Sequence, residues 1–133
     1  MGTRIDYEYT DAGNYHFRNS IVFAGEMTDA LWARIRNACE SGEFFIAHQV
    51  GLPEVFAWLP GPHIRDDEKR DGYAFDDEDD HCWHRFPDDP RAWELTTDKW
   101  EQVRSVEELL AAFEAAAKEG WKVFDPAERF GLA

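Results

Sequence analysis

Nine carboxylates and two bases fall between Asp66 and Asp80, so that half of the chain's formal net charge of -14 sits in one short stretch. Charge at that density repels itself and resists burial, which predicts an exposed loop over residues 65–80. Whatever folds is then assembled from the apolar segments on either side of that loop. They have the material for it: of 133 residues, 44% are hydrophobic and 15% aromatic, too much apolar mass for a disordered chain and enough for one core. With no internal repeat and no Gly/Ser linker, residues 1–133 read as a single domain.

The charge also sorts partners. Affinity for phosphate rests on Lys and Arg releasing counterions, so an acidic chain is not expected to bind nucleic acid or an anionic membrane over a broad face. Neutral or cationic partners are favoured. No apolar run approaches the roughly 18 residues that span a bilayer, and Met1 to Asp6 contain no apolar leader, so a cytoplasmic location is expected. Cys39 and Cys82 make neither a disulfide framework nor a CxxC pair.

From Tyr15 to Phe23 the residues Tyr15, Phe17, Ile21 and Phe23 alternate with His16, Arg18, Ser20 and Val22, the period of a strand, with Asn19 out of pattern. Gly25 closes it. Thr28 is placed to cap a helix with Asp29 in its first turn, Met27 and Trp32 as a hydrophobic staple, and Gly42 as its stop. Leu31, Ile35, Ala38 and Cys39 form its apolar stripe. Phe44 to Val50 reads as a second strand ended by Gly51 and Pro53, and Val55 to Leu59 is a further apolar run. After the acidic loop, His81 to Phe86 and Ala92 to Thr97 read as a hairpin turned by Pro87, Asp88, Asp89, Pro90 and Arg91. Symmetric closure places Trp83, Arg85, Trp93 and Leu95 on one face, and Cys82, His84, Phe86 and Glu94 on the other. Ser105 and Glu108 make a capping box for a helix carrying Val106, Leu109, Leu110, Phe113, Ala116 and Ala117, ended by Gly120. Trp121, Val123 and Phe124 follow as an edge strand or a packed tail.

The fold class expected is α+β: a mainly antiparallel sheet with two helices packed on one face, in the order β-α-β-(acidic loop)-β-β-α-tail, with a ferredoxin-like arrangement as the alternative.

Four constellations carry possible chemistry. Counting Asp67 as position 1 of a calcium loop puts Asp71, Gly72 and Glu78 at ligand and turn positions, but Lys69 stands where an oxygen ligand belongs. The same loop, with Asp76, Asp77 and Glu78 at its densest point, is suited to steer a basic partner. Trp58, Trp83 and Trp93 beside those carboxylates suit a cationic, partly apolar ligand. Cys82 and His84, with Glu94 across the hairpin, make at most three ligands for a metal, the set of a catalytic rather than a structural site. Nucleophilic catalysis has little support, because Ser105 is needed as a cap, Ser20 has no GxSxG context and Cys39 lies on an apolar stripe. Without GxGxxG or a P-loop, no cofactor is expected. The sequence therefore points to a binding protein for a basic protein or a cationic small molecule, with a metal-dependent enzyme or metal-binding protein on Cys82, His84 and Glu94 as the alternative. The aromatic content further suggests a homodimer.

Overall fold

The sheet is built around a strand that the sequence reading passes over. In the computed structural model, which describes residues 1–13, 16–56, 80–87, 92–100 and 104–131, the first strand β1 (Gly2–Thr10) runs through the middle of the sheet. Ile5, Tyr7 and Tyr9 alternate with Arg4, Asp6 and Glu8, and the three apolar side chains are almost fully excluded from solvent. Strand β2 (His16–Ala24) pairs with β1 antiparallel and without a bulge, from Gly2 opposite Ala24 to Thr10 opposite His16. Phe17, Ile21 and Phe23 are buried as expected, and Val22 on the opposite face is buried as well. Asn19 has a reason to be out of pattern. It lies opposite Tyr7, and its amide donates to Tyr7 Oη at 3.1 Å while the Tyr7 hydroxyl donates to the Pro53 carbonyl at 2.6 Å. A polar group on the core side is thus satisfied rather than orphaned.

Helix α1 (Asp29–Ala38) begins at Thr28, whose hydroxyl accepts the Leu31 N–H at 3.1 Å. It stops at Cys39, earlier than the expected Gly42, because Ser41 and Gly42 both take positive φ to reverse the chain into β3 (Phe44–Phe45). The strand expected over Phe44 to Val50 is only these two residues. Ala47–Val50 instead form a 3-10 helix closed by Gly51 in the left-handed region, where the Arg104 guanidinium donates to the carbonyls of Val50 and Gly51 at 2.9 and 3.1 Å.

The expected hairpin does not form. Strands β4 (His84–Arg85) and β5 (Trp93–Thr96) both run antiparallel to β1, with Arg85 opposite Glu8 and Trp93 to Thr96 opposite Ile5 to Gly2. They are successive pieces of one lane along the second edge of β1, and the Asp6 N–H donates to the Ala92 carbonyl at 2.7 Å between them. The other side of β4 pairs with β3. Strand β5 gains four paired positions on β1, and the short β4 is held between β1 on one side and β3 on the other.

Helix α2 (Val106–Glu119) has the expected capping box, with reciprocal bonds of 3.2 and 3.1 Å between Ser105 and Glu108. Ala117 faces solvent rather than the core, while Val106, Leu109, Leu110, Phe113 and Ala116 are buried. A bidentate pair of Arg34 and Glu114, at 2.7 and 3.3 Å, links α1 to α2. The residues after Gly120 pack as a tail, not a strand. The Trp121 indole donates to the Ala38 carbonyl at 3.0 Å, and a short unanticipated helix α3 (Pro126–Phe130) starts at Asp125. The chain is thus α+β, with an antiparallel sheet and three α-helices among the described residues. No helix among them is long and apolar enough to cross a membrane.

The core is centred on Phe45. Its ring lies 4.7 Å from Phe86, 5.2 Å from Phe113 and 6.1 Å from Tyr7, so strands β1 and β3, helix α2 and the segment after β4 meet there.

Candidate functional site

Polar chemistry gathers at the Thr10 end of β1, where the chain returns from the acidic segment. Tyr9 is delivered there by strand alternation. Its hydroxyl donates to Asp80 Oδ1 at 2.6 Å and accepts the His81 N–H at 3.1 Å. The next residues fold back on themselves, so that His81 Nδ1 accepts the Trp83 N–H at 3.0 Å while its Nε2 lies 2.7 Å from the Thr10 carbonyl. A carbonyl only accepts and a backbone N–H only donates, so the neutral ring carries its proton on Nε2. His84 is fully buried, and its Nε2 accepts the Val55 N–H at 3.0 Å, which places the proton of its neutral ring on Nδ1. The Tyr9 ring lies 5.0 and 5.7 Å from the two imidazoles and 4.9 Å from Phe56.

Burial pushes the Tyr9 hydroxyl well above the ordinary phenol range, and the bond to Asp80 adds to that shift. Burial likewise raises Tyr7. The Cys82 thiol is raised by burial as well, the opposite of the activation a nucleophile needs. Cys39 is pushed up to about 12 by burial, and its Sγ lies 3.4 Å from the Ile35 carbonyl. Both cysteines are therefore held as neutral thiols.

Of the residues singled out from sequence, Trp58, Asp76, Asp77 and Glu78 lie outside the described residues, as do Asp67 and Asp71 of the calcium-loop pattern. Trp83 is half-buried beside Phe44, whereas Trp93 is buried opposite Ile5. These two tryptophans do not share a hairpin face, because there is no hairpin. The same correction separates the proposed metal ligands. Cys82 and His84 are buried, but Glu94 stands opposite Arg4, is exposed and forms an ion pair with that arginine. Among the described residues no group of three or more His, Cys, Asp or Glu side chains is placed to hold a metal ion.

Sequence reasoning missed Tyr9 and Glu8, and one signal would have found both: the alternation across residues 3 to 10. Glu8 points to the face opposite Tyr9 and is only 2% exposed. Its carboxylate is 2.9 Å from Arg18, 3.9 Å from Arg85 and 3.5 Å from the His16 imidazole, so one buried charge is compensated by two guanidinium groups. At the other end of β1, an open surface cleft of about 600 Å³ is lined by Met1, Gly2, Thr97, Asp98, Lys99 and Trp100.

The arrangement around Tyr9 fastens the chain rather than activating a bond. Substituting Tyr9→Phe removes one hydroxyl that serves both a donor and an acceptor, and is expected to cost about 1–3 kcal/mol in urea unfolding. An unchanged midpoint would show that the Asp80 bond contributes nothing to the fold. Compared with family models, curated proteins and solved structures, the chain finds no match.

Proposed function

We propose that this chain is a small acidic interaction domain that recognises a basic protein surface through residues 66–79. The observation that carries the reading is the fastening of Asp80 to Tyr9 on the central strand, which ties the C-terminal end of the acidic segment to the sheet. Eight of the nine carboxylates precede that anchor. Clustered like charge next to a fixed point raises the local concentration of cationic partners and speeds their encounter. The state of the reactive groups also favours binding over catalysis. Both thiols are held protonated, and His81 and His84 are engaged with backbone groups. A cationic small molecule held by Trp83 and Trp93 together has less support, since Trp93 belongs to the core.

The test is titration with a peptide rich in Lys and Arg. Binding is expected to weaken by roughly tenfold or more as salt rises from about 0.05 M to about 0.5 M, and to vanish in a variant lacking residues 66–79 but retaining Asp80. That variant should keep its far-ultraviolet dichroism, because shortening a connection costs little. Affinity indifferent to salt, or undiminished in a folded variant without the segment, would overturn the proposal.

A further inference from the structure

Residues 52–56 and 80–86 lie on either side of the acidic stretch in sequence, and both are fastened to β1. The Tyr7 hydroxyl donates to the Pro53 carbonyl at 2.6 Å, and the Tyr9 hydroxyl to Asp80 Oδ1 at 2.6 Å. One further bond joins the two stretches directly, since the buried Val55 N–H donates to His84 Nε2 at 3.0 Å. His84 is 0% exposed, and its ring lies 4.8 Å from Phe56, 5.7 Å from Tyr9, 6.2 Å from Phe45 and 6.3 Å from Tyr7. Four aromatic rings thus surround an imidazole whose Nε2 lone pair is the acceptor in that bond. A second proton on the ring goes to that lone pair, and there it would face the Val55 N–H donor to donor. The rings also replace little of the hydration that a charged imidazolium loses on burial. The bond therefore belongs to the neutral ring alone.

We propose that His84 is a pH-sensitive clasp, which holds residues 52–56 to β4 at neutral pH and lets them go in mild acid. The charged and titratable groups on the elements packed around it are engaged elsewhere. Glu8 of β1 and Arg85 of β4 meet on the opposite face of the sheet, and Asp80 is bonded to Tyr9. Glu54 is paired with Arg129 and lies 3.4 Å from His48, while β3 contributes only Phe44 and Phe45. Tyr7 and Tyr9 are phenols that burial keeps neutral. His81 binds the Trp83 N–H and the Thr10 carbonyl, so it ties its own stretch to β1 and not to residues 52–56. A histidine in an open chain gains its second proton near pH 6.5. Above that value the open and closed forms are both neutral and the clasp is at full strength. Below it only the open form takes up the proton, so closure weakens as pH falls. The clasp is independent of what the acidic stretch recognises.

Hydrogen exchange at the Val55 N–H reads the clasp directly. Its protection, relative to an unstructured peptide at the same pH, is expected to fall roughly twentyfold between about pH 7 and about pH 5. At the acid end it should be less protected than the Leu110 N–H in α2, because the clasp opens before the fold does. In His84→Gln an amide oxygen takes the place of Nε2 as acceptor and does not titrate, so the fall should disappear. If that variant does not fold, the ring resonances of His84 in the unaltered chain decide the matter: they should report the neutral ring for as long as Val55 stays protected. Protection that is constant over this range, that falls equally in a folded glutamine variant, or that matches Leu110 at the acid end would overturn the assignment. So would a charged His84 ring with Val55 still protected.

Discussion

Between about pH 9 and about pH 12 the protein is expected to unfold in one cooperative step. The cause is the burial of groups that ionise in alkali. In an unfolded chain a thiol loses its proton near 8.5 and a phenol near 10. In the folded protein Cys39 holds its proton to about 12, Cys82 is shifted in the same direction, and Tyr7 and Tyr9 are raised further above the phenol range. Below the unfolded values both states bind these protons, and their contribution to stability is fully present. Above them only the unfolded state releases protons, so stability falls as pH rises, by about 1.4 kcal/mol per pH unit for each group still protonated in the fold. With two phenols and two thiols acting together, a few units are enough to exhaust a typical stability of about 5–15 kcal/mol. The measurement is dichroism recorded alongside tyrosinate absorbance across the alkaline range. Two tyrosines should ionise only as the fold is lost. Complete tyrosinate formation near pH 10 with the dichroism intact would show that Tyr7 and Tyr9 are not shielded as described.

Phe45→Ala is expected to cost about 3–5 kcal/mol, read from the urea midpoint with an unchanged slope. Phe45 is fully buried and its ring touches Phe86, Phe113, Tyr7 and His84, so truncation opens a cavity where several elements converge. None of those neighbours can collapse into the gap without losing another ring contact. Phe45→Leu keeps most of the volume and should cost less than half as much. A loss below about 1.5 kcal/mol for the alanine variant would mean that the junction is looser than its ring distances indicate.

The contrast between correct and mistaken expectations follows one physical line. Thr28, Ser105 and Glu108 were legible because a cap depends on residues three positions away, and the stripe through Leu109 and Phe113 because a helix satisfies its backbone internally. Phe17, Ile21 and Phe23 were legible for a similar reason, since a face can be read without knowing its partner. Which strand pairs with which was not. His84 and Glu94 look like neighbours across a turn, yet Arg85 lies opposite Glu8 and Glu94 opposite Arg4, because β1 takes both segments. The Cys82, His84 and Glu94 set dissolved with that register, and so did the shared face of Trp83 and Trp93. Asp80 was grouped with its acidic neighbours on charge alone, and only the position of Tyr9 separates it from them.

By itself the sequence determined the acidity and its concentration between Asp66 and Asp80, the two long helices with their caps, the strand from His16 onward and the α+β class. The tertiary structure decided the lane formed by β4 and β5, the burial of Glu8 among cations, the neutral state of the thiols and the enclosure of His84. The division has a physical cause. Caps, periodicity and charge density are set by interactions within a few residues, whereas pairing and burial are set by which distant segment wins a place beside β1.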